Sequence, residues 1–308
     1  MSITGRPQAT IMSNPRADRV KDVAKLAGRS VRSKRRQFLA EGPQSVREAL
    51  SAHRANIASG GDGIVVEVFA TEACLDRLPE LLDLADGVPL RLATDAVLSA
   101  MADTVNPQGI VAVCHYLDRP LNEVLQTKPL LLAIMVRVQD PGNAGTILRA
   151  ADSAGADAVV LTSSSVDIYN PKAVRSTAGS LFHLPVVTGH DFDELAAALR
   201  AAGLSMLAAD GYGTIDLDHL QDRSALSRLG EGTAVADDGA ARLPDLASPT
   251  AWLFGNEAQG LSAEELAAAD HRVAVPVYGQ AESLNVGTAA TVCLYASARS
   301  QRRGTQPV

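Results

Sequence analysis

Only three cysteines occur in 308 residues, Cys74, Cys114 and Cys293, widely spaced and odd in number. That argues against a disulfide framework and against a zinc site, and it fits a reducing compartment, the cytoplasm. The six histidines show no ligand spacing, so no metal is expected. Aromatic residues make up only 4% of the chain, which leaves the core to aliphatic side chains and alanine. Long hydrophobic runs are missing. The longest, Pro129 to Val136, falls far short of the roughly 20 residues that cross a bilayer and reads as a buried strand. The opening MSITGRPQATIMSN has no apolar segment of the secretory type, so no membrane association is expected. Gly-x-Gly-x-x-Gly and Gly-Lys-Ser/Thr are absent too, which disfavours a dinucleotide oxidoreductase and a P-loop enzyme.

What is present is an ordinary globular composition, 46% apolar and 20% charged, long enough for about two domains. The net charge of −7 conceals an asymmetry. Residues 1–54 hold 12 Lys/Arg against 4 Asp/Glu, while the remainder holds 16 against 31. A basic end on an acidic chain suits a polyanionic partner, although a solvated basic helix face would look the same. Arg29, Arg32, Lys34, Arg35 and Arg36 are the candidate phosphate contacts.

Apolar periodicity divides the chain. Residues 1–14 read as disordered, and 16–53 as two or three helices, the last at 43–53 after Gly42-Pro43. Strand patterns at 64–69, 90–93 and 109–115, with helical patterns at 71–83 and 95–102, describe a small α/β domain over 1–117. Residues 118–129 read as a linker. From 130 to 308 the alternation is stronger. Strands are expected at 130–136, 158–161, 184–187, 204–208, 251–254 and 273–277, and helices at 144–154, 171–177, 192–202, 263–269 and 284–299. Short, continuous apolar strands of this kind belong to a parallel sheet covered on both faces. The acidic stretch 211–249 reads as an insertion.

Three strand-to-helix loops stand out. In the first, Gln139-Asp140-Pro141-Gly142-Asn143-Ala144-Gly145, Asn143 can cap a helix that carries Arg149. A strand-to-helix turn exposes N–H groups suited to anions, yet Arg149 alone would pass for a surface residue. In the second, Leu253 to Ser262, Ser262 and Glu265 form a Ser-x-x-Glu capping box. Gly255 and Gly260 permit close backbone approach, and Glu257 is left without a capping task. In the third, Val275 to Asn285, Ser283 can serve as an N-cap, and Asn285 has no evident structural task. All three would lie at the carboxyl ends of strands, where open α/β sheets bind ligands.

Taken together, the loops resemble the signature motifs of the SpoU (TrmH-like) family of SPOUT-class RNA 2′-O-ribose methyltransferases. Asn143, Gly145 and Arg149 match Asn-x-Gly-x-x-x-Arg. Gly255, Glu257 and Gly260 match Gly-x-Glu-x-x-Gly. Pro276, Ser283, Leu284 and Asn285 match Pro-x(n)-Ser-Leu-Asn. The segment 170–185, NPKAVRSTAGSLFHLP, is also family-like, and 37–42 resembles the entry to the family's small substrate domain. The resemblance covers about 130–300 strongly and the N-terminal half weakly.

It implies an α/β fold: a C-terminal SPOUT-type α/β knot, a trefoil-knotted parallel sheet, behind a small N-terminal α/β substrate-binding domain. It further implies a homodimer. S-adenosylmethionine would rest on backbone at Gly255, Val275 and Leu284, with Leu253 nearby. Arg149 is the implied catalytic centre, with Asn143, Glu257, Ser283 and Asn285 orienting it, the ribose and the cofactor. A guanidinium, with a pKa above about 12, is a poor base. Holding a phosphate and polarising the ribose hydroxyl is the better role. Structured RNA is the expected substrate, ribosomal RNA favoured over transfer RNA. The rival from another class is a non-catalytic RNA-binding or assembly factor that keeps the fold.

Overall fold

The computed structural model describes residues 10–229 and 243–302. Of the expected disorder of 1–14, residues 1–9 lie outside the described residues, as does part of the 211–249 insertion. Residues 10–14 are not disordered, since Met12 N–H donates to the Leu92 carbonyl at 2.9 Å and the Met12 carbonyl accepts from Thr94 N at 3.0 Å, pairing this stretch beside Ala93. The described chain divides into two compact units, and the division is not a single cut. Residues through Leu117 associate with Asp167–His183 in one, while Asp118–Val166 and the chain from Leu184 form the other.

The first unit carries a four-stranded sheet: β1 (Gln37–Glu41), β2 (Val65–Ala70), β3 (Leu90–Leu92) and β4 (Ile110–His115), in the order β1-β4-β2-β3. β4 is antiparallel to both β1 and β2, and β2 runs parallel to β3. Sequence periodicity did not separate β1 from the helices around it. Arg36, in the left-handed region at φ 53°, ends the helix Arg29–Arg35 and turns the chain straight into the strand. Val20, Val23, Leu26, Leu39, Phe69, Val97 and Val111 pack one core of this unit. The region 71–83 holds two short helices, Glu72–Arg77 and Glu80–Leu84, instead of one. Pro79 stands between them, as expected of a residue with no N–H to donate.

The segment Asp167–His183, which the sequence pattern groups with the second half, is bound into this unit. Tyr169 stacks on Tyr116 with ring centroids 3.8 Å apart, and Arg175 pairs with the buried Glu41 at 3.1 Å. Arg32 forks onto Asp167 at 2.7 and 3.0 Å.

The second unit is a seven-stranded parallel sheet: β5 (Leu131–Met135), β6 (Ala158–Thr162), β7 (Val186–His190), β8 (Ser205–Ala209), β9 (Ile215–Asp216), β10 (Thr250–Phe254) and β11 (His271–Ala274). Its order is β7-β6-β5-β10-β8-β11-β9. The chain runs outward from β5 to β7, and the later strands lie on the other side of β5. The winding direction therefore reverses at the β5–β10 pair, the position where such sheets form a ligand crevice. Leu132, Ile134, Val160, Met206, Ala251 and Leu253 fill one core cluster. The stretch 118–129, read as a linker, contains the helix Leu121–Gln126, whose Leu121 and Val124 enter that same cluster. On another part of the fold the helix Val286–Gln301 buries Cys293, Leu294 and Ser297, and Ser297 Oγ accepts the Trp252 indole N–H at 2.9 Å. The described part of the insertion contains regular structure: β9 is followed by the helix Leu217–Leu229.

Candidate active site

The carboxyl ends of β5 and β10 are adjacent, and their loops are fastened to each other by side chains. After β5 the helix Pro141–Ala154 begins three residues earlier than periodicity suggests. Pro141 occupies the first turn, where a missing N–H costs nothing, and the cap is Asp140, whose Oδ1 accepts the Asn143 N–H at 2.9 Å. Asn143 is therefore not the N-cap. It lies inside the first turn with its amide free for other partners. Asn143 Nδ2 donates to Glu257 Oε1 at 3.1 Å, and Asn143 Oδ1 accepts from Asn285 Nδ2 at 3.0 Å.

Glu257 is the junction. Besides Asn143, it accepts the backbone N–H groups of Gln139 at 3.1 Å and Asp140 at 2.9 Å. Burial pushes the Glu257 carboxyl up, but the Asp140 and Gln139 N–H groups and the Asn143 amide outweigh it and hold the group below the usual glutamate range. A carboxylate at a helix N-terminus is favoured by the same exposed donors.

Asn285 reverses the assignment made for its loop. It, not Ser283, caps the helix Val286–Gln301: Asn285 Oδ1 accepts from Gly287 N at 2.9 Å and Thr288 N at 3.4 Å. Gly287 allows this helix to start hard against its neighbour, since a Cβ there would sit 2.8 Å from Thr146 Cγ2. The result is a continuous chain, Asn285 to Asn143 to Glu257, that joins all three loops.

Three other candidates lie differently. Arg149 is exposed on the helix Pro141–Ala154 and, among the described residues, has no hydrogen-bond partner. Six residues beyond Asn143, it points about 120° away around the helix. Ser283 and Leu284 lie exposed in the irregular run that follows β11.

The cofactor candidates fit as backbone donors and acceptors. Leu253 is the exception: it is fully buried in β10 with its main chain in the ladder between β5 and β8, so it backs the site without offering a free donor or acceptor. Among the described residues, no turn or loop hydrogen bond engages the backbone of Gly255 or of 275–284. Val275 is partly exposed and Leu284 exposed at that edge. Uncommitted main-chain groups beside apolar surface suit an adenine ring, an amino-acid moiety and a ribose. Gly255 has a second reason to be glycine: a Cβ would sit 2.5 Å from the Gly260 carbonyl carbon. The close approach is thus first of all within the loop itself. Among the described residues, no group of three or more His, Cys, Asp and Glu could hold a metal ion.

Arg137 and Asn256 escaped the sequence reading. Arg137, at φ 56°, forks onto Glu265 at 2.7 and 2.8 Å. Asn256 Nδ2 donates to the Arg137 carbonyl at 3.1 Å. The available signal was an arginine between Val136 and Val138 at the end of a buried strand, a position that requires a partner for the charge.

The candidate phosphate contacts separate into two groups. Arg32 is 1% exposed, and besides Asp167 it serves the Leu26 and Ala27 carbonyls, so it is a core residue and not a surface contact. Arg35 is held by Asp22 at 2.9 Å, an interaction that also lowers the Asp22 carboxyl. Arg36 lies 4.6 Å over the Tyr116 ring. Arg29 and Lys34 are exposed. A buried fork of Arg32's kind cannot be told from a surface charge by spacing.

Comparison with known proteins identifies the family. The SpoU rRNA Methylase family profile matches residues 130–295, and the MRM3-like substrate binding domain profile matches 17–112. The chain is 35% identical over 277 residues to the 23S rRNA (guanosine(2553)-2′-O)-methyltransferase RlmP of Bacillus subtilis, covering 90% of this chain and 94% of that one. It is 30% identical over 230 residues to the 23S rRNA (uridine(2479)-2′-O)-methyltransferase of Streptomyces viridochromogenes, covering 73% and 72%. The AdoMet-bound rRNA methyltransferase from Sinorhizobium meliloti superposes with a TM-score of 0.74 at 26% identity, covering 95% of this chain and 98% of that one. The cofactor complex of the SpoU methyltransferase AviRb from Streptomyces viridochromogenes gives 0.72 at 28%, covering 94% and 100%.

Proposed function

This chain belongs to the SpoU rRNA methylase family, and we propose that it is an S-adenosylmethionine-dependent methyltransferase acting on a ribose 2′-hydroxyl of structured RNA, with ribosomal RNA as the substrate class. The observation that carries this reading is the Asn285–Asn143–Glu257 chain, which ties three motif loops together at the reversal point of the sheet while leaving Arg149 uncommitted. The names of the relatives support the substrate and the chemistry.

Bound at the main chain of Gly255, Val275 and Leu284, S-adenosylmethionine would supply an electrophilic methyl group on a sulfonium. The protein must then align the hydroxyl and manage its proton. Asn143, Glu257 and Asn285 hydrogen-bond to one another and to main chain, so their task is to hold the loops in register. Arg149, exposed and unpaired, is free to grip an RNA phosphate beside the target ribose and to polarise its hydroxyl. Ser283, next to the cofactor edge, orients the ribose. A bare binding factor would have no need to fix three loops with two linked amides and a pinned carboxylate.

The same reading includes the trefoil-knotted chain path of the family, a homodimer and a cytoplasmic location. The free, buried state of Cys74, Cys114 and Cys293 supports a reducing compartment. Among the described residues, no helix is long and apolar enough to cross a membrane. The first unit, with exposed Arg29 and Lys34, serves as the RNA-binding domain, and the second unit as the catalytic domain.

The test is methyl transfer from labelled S-adenosylmethionine to ribosomal RNA, followed by mapping of ribose methylation. Arg149→Ala is expected to lose methyl transfer by about 100-fold or more while binding S-adenosylmethionine like the wild type. A folded Arg149→Ala protein with full activity would refute the assignment.

A further inference from the structure

The loop between β10 and the helix Ala263–Ala268 carries both Gly255 and Glu257. It closes on itself through a reciprocal pair, Asn256 N–H to the Gly260 carbonyl at 3.1 Å and Gly260 N–H to the Asn256 carbonyl at 2.9 Å. A loop closed in this way keeps its own shape, but nothing in that pair fixes where it stands relative to β5. Arg137 does. Its carbonyl accepts Asn256 Nδ2 at the start of the loop, and its guanidinium Nη2 donates to the Gly260 carbonyl at 3.3 Å at the end. The same guanidinium forks onto Glu265, a residue already committed to the helix cap, where Oε2 accepts the Ser262 N–H at 2.6 Å. Arg137 N–H in turn donates to Thr162 Oγ1 at 3.2 Å, anchoring the residue to the end of β6.

One residue thus grips both ends of the loop and the helix that follows. To do so it adopts a left-handed backbone, uncommon for any residue that carries a Cβ. Hydrogen bonding to Glu265 holds the Arg137 charge more firmly still. Burial pushes the Glu265 carboxyl up, but Arg137 and the Ser262 N–H bring it below its ordinary value. The pair is therefore ionised throughout the neutral range.

We propose that Arg137, acting with Glu265, is the positioning residue for the cofactor loop: it sets the distance between the Gly255 main chain and the end of β5, and so the affinity for S-adenosylmethionine. The inference rests on the cofactor assignment made above. A role in core stability alone would also explain a fork onto a buried glutamate. It would not explain the two contacts to the loop's ends, and it predicts different kinetics.

The experiment is calorimetric titration of the full-length protein with S-adenosylmethionine, paired with steady-state methylation of ribosomal RNA, for the wild type, Arg137→Lys and Glu265→Gln. Lysine keeps the charge and loses the fork. Glutamine keeps an acceptor for the Ser262 N–H, so the helix cap survives. Arg137→Lys is expected to raise the dissociation constant about tenfold, the equivalent of one lost hydrogen bond. Glu265→Gln is expected to raise it about threefold, because the loop contacts of Arg137 remain. In both, kcat at saturating S-adenosylmethionine stays within about twofold and the KM for RNA is unchanged. Wild-type affinity in Arg137→Lys, or a fall in kcat with no change in affinity, would overturn the role of Arg137 alone. Absence of binding by the wild-type protein would overturn the cofactor assignment, and this inference with it.

Discussion

Asn285 performs two tasks with the two ends of one amide, and they can be separated. Its Oδ1 caps the helix Val286–Gln301, and its Nδ2 holds Asn143 at 3.0 Å. Asn285→Ala removes both. Loss of a cap costs about 1 kcal/mol, and loss of a neutral hydrogen bond about 0.5–1.5 kcal/mol. Asn285 is solvent-exposed, so water replaces part of the second contribution. The sum is about 1.5 kcal/mol. Asn285→Ser restores the cap, because serine is among the preferred N-cap residues, but its side chain is too short to reach Asn143. It should cost only about 0.5 kcal/mol.

The assay is urea denaturation followed by the fluorescence of Trp252, the single tryptophan of the chain, which lies buried in β10 of the same unit. Methyl transfer is measured on the same proteins. If the tie to Asn143 is what holds the three loops in register, both variants should lose activity to a similar degree, about tenfold, although only Ala is appreciably destabilised. Wild-type activity in Asn285→Ser together with impaired Asn285→Ala would show that the cap alone matters, and would refute the reasoning that makes the amide chain the organiser of the site.

Arg32→Ala should destabilise the first unit by about 3–5 kcal/mol, the cost of leaving a buried partner charge unmatched, visible as loss of soluble protein or a large fall in denaturation midpoint. Lys34→Ala should leave stability within about 0.5 kcal/mol but weaken RNA binding and reduce the slope of log affinity against log salt by about 0.9 if it contacts a phosphate. Glu257 has a folded pKa below its unfolded value, so its contribution is complete above the unfolded pKa of about 4.3 and is lost as pH falls through the lower folded value. Glu257→Gln should therefore flatten the acid limb of stability below about pH 4.5, as read from urea midpoints across that range. Gly255→Ala should displace the Gly260 main chain, which a Cβ would approach to 2.5 Å, and weaken S-adenosylmethionine binding by at least about tenfold in a calorimetric titration.

The parallel sheet was legible because each strand is a short apolar run with a helix after it, and β5, β8 and β10 lie within one or two residues of where the pattern puts them. β1 was not, because Gln37–Glu41 follows a helix with no glycine or proline between; the break is made by Arg36 adopting a left-handed conformation, which composition does not signal. Nor was the capture of Asp167–His183 by the first unit. Its ties include a tyrosine stack and the Arg32–Asp167 and Arg175–Glu41 ion pairs, formed between residues more than 50 positions apart, and periodicity carries no information about such partners.

At the site, the residue types were legible and their division of labour was not. Ser283 and Asn143 look like caps because serine and asparagine beside a helical pattern ordinarily are. In the fold, the capping is done by Asp140 and Asn285, each one position away from a sequence break that periodicity places two or three residues off. That small error matters, because a residue freed from capping acquires its amide for other work. Asn143 gains both ends of its side chain for Glu257 and Asn285. Asn285, at a cap, still has its Nδ2 to spare, since capping uses only the oxygen. Three loops can therefore be joined by two asparagines and a glutamate without a charge pair, an arrangement that leaves Arg149 as the uncommitted cation of its helix and available to an RNA phosphate.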